Sequence, residues 1–210
     1  MTEAPAAPAR RGRPGYDQES LLAVAVRVFN ERGYDGTSME DLSRTLGITK
    51  SAIYYHVRSK EELLGLAIDR ALDGLSAVVA EVQASDERAV DRLEQLVRGS
   101  VKVLVERLPF VTLLLRVRGN TQVERDALAR RRELDHVVTD LVKQAVAEGD
   151  LRDDIDPAVT ARLVFGTVNS LVEWYRPGGG MSAEELADAV CALLFDGLRR
   201  DGQRPGQGPS

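Results

Sequence analysis

Within residues 37–63, TSMEDLSRTLGITKSAIYYHVRSKEEL, two tyrosines and a histidine stand side by side as Tyr54, Tyr55 and His56, with Lys50 before them and Lys60 after. A buried phenol or imidazole needs a dedicated hydrogen-bond partner, so three in a row make a poor core segment. They suit a polar partner outside the chain. As an acid–base group or metal ligand His56 would need companions, yet the chain has only one other histidine, His136, and one cysteine, Cys191. That is too few for a cysteine-built metal site or an intrachain disulfide. There is no glycine-rich phosphate loop and no nucleophile spaced to meet a base. The residues therefore point away from an enzyme, and no catalytic residue, metal or cofactor is expected. Hydrogen-bond donors beside aromatic rims are what the base edges and phosphates of nucleic acid engage.

Such a row must be held in place by helices. A first helix from about Asp17 carries Leu22, Ala25, Val26 and Phe29 on one face, and Gly33 stops it. Thr37 and Glu40 have capping-box spacing ahead of a short helix with Met39, Leu42 and Leu46 inward, ended by Gly47. Thr49 caps a third helix, finishing near His56, whose inner face is Ala52, Ile53 and Val57. Two short helices joined through LGIT make a helix-turn-helix. Thr49, Lys50, Ser51, Tyr54, Tyr55 and His56 are left outside, where a major groove can receive them. Ser59 and Glu62 form another box, opening a long fourth helix that reaches about Glu81.

The rest of the chain continues in helical periods. Helices are expected over about 86–107, 110–117, 122–148, 156–175 and 182–199, with Pro109 breaking the first of these from the next and PGGG at 177–180 forming a loop. This makes nine helices and no alternating strand run, an all-α fold. Composition agrees, with 43% hydrophobic residues and few aromatics. Residues 1–15 are expected to form a flexible basic arm, 16–62 the DNA-binding domain, 63–200 an effector-binding and dimerisation domain, and 201–210 a flexible tail. The formal charge of −5 is unevenly spread: nine Lys and Arg against seven Asp and Glu in residues 1–60 leave +2 there and −7 in the remainder. No run approaches the roughly 18–20 apolar residues of a membrane span, and a cytoplasmic protein with no membrane partner is expected.

The segment GYDGTSMEDLSRTLGITKSAIYYHVRSKEELL, residues 33–64, resembles the TetR family of one-component bacterial repressors. The resemblance implies that Lys50 and Tyr54 approach bases, that Tyr55 and His56 touch the DNA backbone, and that Lys60 meets a phosphate at the start of the fourth helix. Thr37 and Ser38 would do the same at the start of the second, and Lys50, Ser51 and Tyr54 would choose the sequence. Thr37, Thr49 and Ser59 are equally helix caps. Arg10, Arg11 and Arg13 suit a minor-groove arm or a solvated tail. The family also implies a homodimer on a palindromic double-stranded DNA operator, with the last two helices as the dimer surface. Val159, Leu163, Val164, Val168, Leu171 and Val172 would supply one half of it and Leu186, Val190, Leu193, Leu194 and Leu198 the other.

Polar residues inserted among the apolar middle helices, Arg116, Arg118, Asn120, His136, Asn169, Glu173 and Trp174, suggest either a pocket or ordinary surface polarity. FGTVNSLVEWYRPGG, residues 165–179, is similar to the corresponding segment of TetR-type regulators that answer to acyl-coenzyme A thioesters. A slot of Phe110, Leu114, Val138, Phe165 and Trp174 would then take the acyl chain, with Asn169 as a polar effector contact and Arg116, Arg118, Arg130, Arg131 and Arg132 for phosphates. The rival expectation is an efflux-pump repressor answering to an uncharged hydrophobic compound. More remote is a helical binding protein with no regulatory role.

Overall fold

The computed structural model describes residues 17–198. The N-terminal arm with Arg10, Arg11 and Arg13, and the C-terminal tail, lie outside the described residues. Nine helices account for the described fold: α1 (Gln18–Arg32), α2 (Met39–Leu46), α3 (Lys50–His56), α4 (Lys60–Ala84), α5 (Ala89–Glu106), α6 (Leu108–Arg116), α7 (Gln122–Ala147), α8 (Pro157–Trp174) and α9 (Ala183–Leu198). None is long and apolar enough to cross a membrane.

The helix ends follow local chemistry. Asp17 caps α1 by accepting from the Ser20 amide at 2.7 Å, and Gly33 ends it. The capping box of α2 is one residue later than its spacing suggests: Ser38 and Asp41 form it, not Thr37 and Glu40. The reason is burial. Thr37 is turned inside and donates its hydroxyl to the Gly33 carbonyl at 2.8 Å. Gly47 ends α2 in the left-handed region, φ 66°, where a Cβ would be strained. The turn is pinned on both sides, because the Ser43 hydroxyl donates to the Ile48 carbonyl at 2.6 Å while the Ile48 amide donates to the Ser43 carbonyl at 3.3 Å. Thr49 and Ser59 cap α3 and α4. Glu62 takes the Arg58 amide in place of its own cap residue's. Pro109 does not end a helix but opens α6, at a first turn where its missing N–H costs nothing; the break falls at Arg107.

α1–α3 close around Phe29, Leu42, Ile53 and Val57. Below them α5 is central, packing against α4, α7, α8 and α9. It meets α4 at very short range through reciprocal glycines. A Cβ on Gly74 would fall 2.8 Å from Val103 Cγ1, and one on Gly99 2.5 Å from Val78 Cγ1. α9 presents Leu186, Ala187, Val190, Cys191 and Phe195 to the interior. Leu186 and Val190, with Val164, Val168 and Leu171 of α8, are therefore core of their own subunit and not dimer surface. What α8 and α9 leave outside is Val159, Leu163 and Leu193, with Trp174 at the end of α8 and Met181 in the loop between them.

Candidate nucleic-acid interface and effector cavity

The recognition face is built on α3. Ile53 and Val57 anchor it to α1 and α2, Ala52 is half-buried, and the opposite side stands in solvent with Tyr54 49% and Tyr55 86% exposed. Two large aromatics left so open on a seven-residue helix cannot owe their position to core packing. Tyr55 meets the His56 ring edge-on at 5.3 Å. The Gln18 side chain donates to the His56 carbonyl at 3.3 Å, tying the end of α3 to the start of α1. Ser38, Thr49, Lys50 and Ser51 are exposed along the same helix-turn-helix.

Two of the expected cations are already engaged. Lys50 Nζ lies 2.5 Å from Glu40 Oε2 on α2. The hydrogen bond and the charge of Lys50 hold the Glu40 carboxyl below its ordinary range, and Glu40 raises Lys50 in turn. Lys60 reaches back to donate to the Tyr34 and Thr37 carbonyls, both at 2.9 Å, and its ammonium sits 4.2 Å from the centre of the Tyr34 ring. Burial, with Glu61, Glu124 and Asp35 nearby, raises the Tyr34 phenol to about 12. Lys60 is thus a brace between α4 and the α1–α2 connection. Thr37, with its hydroxyl turned inward, is removed from the phosphate-facing set. Arg44 and Arg58 are also exposed on the helix-turn-helix, Arg44 paired with Asp41 at 3.3 Å.

The expected effector residues do not form one site. Val138 and Phe165 line a small, mostly apolar space together with Leu75 and Val79 of α4, Leu96 and Ser100 of α5, and Leu134 of α7. Phe110 and Leu114 pack in α6, Leu114 fully buried, and the Arg70 guanidinium lies 5.8 Å from the Phe110 ring. Asn169 is half-buried on α8. Trp174 stands apart from both groups, 56% exposed at the end of α8.

Arg116 and Arg118 line a different space, a cleft of about 750 Å³ where α1 and its following turn meet α6 and the start of α7. There Arg116 donates to the Asn30 carbonyl at 2.7 Å, Asn30 to the Pro109 carbonyl at 2.8 Å, and Asn120 to Asp35 at 3.0 Å. These bonds link the helix-turn-helix to the body. Arg130 pairs with Asp69 at 2.6 Å and Asp73 at 3.4 Å, joining α7 to α4. Of the ARRR run, Arg132 faces a second cleft, of about 320 Å³ between α7 and α8, shared with His136 and Arg162 and walled by Val138.

Among the described residues no cluster of metal-ligating side chains is present.

Comparison with known proteins agrees with this architecture. Residues 21–67 match the model for bacterial regulatory proteins of the tetR family, and residues 86–198 match the tetracyclin repressor-like C-terminal domain. The crystal structure of SCO3833, a TetR family member from Streptomyces coelicolor A3, is 58% identical and superposes with a TM-score of 0.80 over 86% of this chain and 91% of that one. The HTH-type transcriptional repressor KstR2 of Mycolicibacterium smegmatis is 26% identical over 91% of this chain and 95% of its own length. AibR, solved in complex with isovaleryl coenzyme A and operator DNA, is 28% identical with a TM-score of 0.72, over 85% of this chain and 97% of that one. These relatives are transcriptional regulators and not enzymes. With an exposed α3 on a capped helix-turn-helix, a wholly helical body and both family models matched, this chain belongs to the TetR family of DNA-binding transcriptional regulators.

Proposed function

We propose that this chain is a cytoplasmic, ligand-responsive repressor that binds a palindromic operator as a homodimer and is released by an acyl-coenzyme A thioester. The observation that carries this is a pair of exposed surfaces, one aromatic and one apolar. Tyr54 and Tyr55 stand open on α3, and Val159, Leu163, Trp174, Met181 and Leu193 stand open on α8, α9 and the loop joining them. The first suits a groove and the second suits another copy of the chain. One short helix reads too few base pairs to find a site in a genome. Residues 16–62 would read DNA, with Lys50, Ser51 and Tyr54 at bases and Ser38, Thr49, Tyr55 and His56 at the backbone, while residues 63–200 would bind effector and dimerise.

The apolar space supports the effector half of the proposal. Its walls include Leu75 and Val79 of α4, the same helix whose first residue, Lys60, braces the α1–α2 connection. A ligand that widens this space displaces α4 and, with it, the recognition helices. Ligand and operator must then weaken each other's binding by the same factor. Arg132 and Arg162 in the adjoining cleft supply cations for a phosphorylated head, with the His136 ring beside them, and the related AibR was solved with a coenzyme A thioester and DNA together. An uncharged hydrophobic compound would fill the apolar space without using those cations.

Footprinting and titration of the DNA complex test the proposal. Protection is expected over two half-sites related by a two-fold axis, with centres ~34 Å or a multiple apart along the duplex. Acyl and aryl-acetyl thioesters should release the DNA, while their free acids and coenzyme A alone should not. Release by free acids would sink the thioester assignment and leave the repressor standing; protection with no two-fold relation would sink the dimeric repressor.

The Glu40–Lys50 pair gives a separate expectation. In the free protein the Glu40 carboxylate occupies the ammonium that the groove needs, and it places a negative charge beside the phosphates. Glu40→Gln is expected to tighten binding to all DNA sequences by roughly three- to tenfold and to steepen the log–log salt slope by about one unit. Fluorescence anisotropy on operator and random duplexes across a salt series measures both. An unchanged slope and affinity would mean that Lys50 does not reach the DNA.

A further inference from the structure

We infer that Ser100 is the polar anchor for the buried end of the effector, and that the effector carries a keto or hydroxyl oxygen on the far, apolar part of its acyl group. The inference rests on the effector proposal above and narrows its ligand class.

Ser100 lies in the middle of α5, 2% exposed, and its Oγ is buried without a hydrogen-bond partner. Every other residue around the adjoining space is apolar: Leu75, Val79, Leu96, Leu134, Val138 and Phe165. A hydroxyl in such a place costs free energy, and an alanine would pack there without the penalty. Helical serines commonly return their hydroxyl to the carbonyl one turn back, but Ser100 makes no such bond among the described residues. The unfilled space beside it is small, about 10 Å³, room for no more than a single water. What the site lacks is an apolar body to part the helices and an oxygen to meet the hydroxyl.

The direction of entry follows from Val138, which walls both this space and the α7–α8 cleft. In that cleft the Arg132 and Arg162 guanidiniums and the His136 imidazole stand with one carboxylate, Asp135. A ligand lying along this line leaves an anionic head at the cleft, passes its apolar body over Val138 and brings its far end to Ser100. Ser100 can donate to a ketone or accept from a hydroxyl. A plain saturated chain would leave it unpaired, and the site discriminates by that difference.

The test compares a saturated medium-chain acyl thioester with its counterpart carrying an oxo group near the chain end, and the two corresponding free acids. Binding is measured by calorimetry to the wild type, Ser100→Ala and Ser100→Cys. The wild type is expected to prefer the oxo compound by about tenfold. Ser100→Ala should bind both equally, with unchanged affinity for the saturated one. Ser100→Cys, similar in size but a weak donor, should lose most of the preference. Ligand-free Ser100→Ala should melt about 2–4 °C higher than wild type, since an unpaired hydroxyl has been removed. If free acids bind and show the preference while thioesters do not, the coenzyme A proposal fails and the Ser100 anchor stands. If thioesters bind with no preference, or the preference survives in Ser100→Ala, the anchor fails and the thioester proposal stands. Binding by no compound of either series overturns the anchor as well.

Discussion

A chain carrying both Leu163→Asp and Leu193→Asp is expected to sediment as a monomer and to lose its operator footprint. Leu163 is 59% and Leu193 72% exposed in the single chain, although each is a large apolar side chain beside others of its kind. In a two-fold dimer each substitution acts twice, so four leucines leave the interface. At about 1.5 kcal/mol each, the lower end for a buried leucine, the loss is about 6 kcal/mol, or more than four decades in Kd. Burying the introduced carboxylates would cost more. A monomer retains the weak, salt-sensitive attachment of one short helix, on the order of 10⁻⁴ to 10⁻⁶ M. Analytical ultracentrifugation and footprinting read both effects, and circular dichroism should be unchanged because neither side chain supports its own subunit. A variant that remains dimeric would move the interface off α8 and α9.

Lys60→Ala is expected to weaken binding to every DNA sequence by roughly ten- to a hundredfold while leaving the salt slope as it was. The ammonium of Lys60 holds two carbonyls, those of Tyr34 and Thr37, and lies over the Tyr34 ring. Losing these bonds loosens the start of α4 from the α1–α2 connection, at a cost of about 2–3 kcal/mol for charge-assisted bonds that are partly buried. The loss falls on the alignment of α2 and α3, so it is blind to base sequence. A phosphate contact predicts something else, a salt slope smaller by about one unit with the melting temperature unchanged. A salt series on operator DNA, combined with thermal melting of the free protein, separates them. An unchanged melting point with the reduced slope would return Lys60 to the phosphate.

The elements were legible because their signals are local. Asp17, Thr49 and Ser59 cap where their spacing places them. Gly33 and Gly47 stop their helices, and the apolar period of α1, α4 and α5 falls on the face that is buried. Errors of one residue arose where two cap residues stand together. Thr37 and Ser38 are each followed three residues later by an acid, and only the burial of Thr37 against the Gly33 carbonyl decides which of them caps α2. The exposed face of α3 was also readable, because Ile53 and Val57 leave Tyr54 and Tyr55 no inward direction on so short a helix.

The sequence by itself determined the all-α fold and the helix-turn-helix, since caps, glycine stops and helical periodicity act within a few residues of where they are written; the family was legible only as the resemblance carried by residues 33–64. Only the tertiary structure decided what each polar side chain meets. Lys60 reaches 26 residues back to Tyr34, and Arg130 reaches 61 residues back to Asp69. Arg116 reaches 86 residues back to Asn30, while Trp174 stands outside the body and Ser100 is enclosed within it. A long side chain takes whichever partner the packing of separate helices brings within hydrogen-bond distance, and no periodicity along one helix records the position of another.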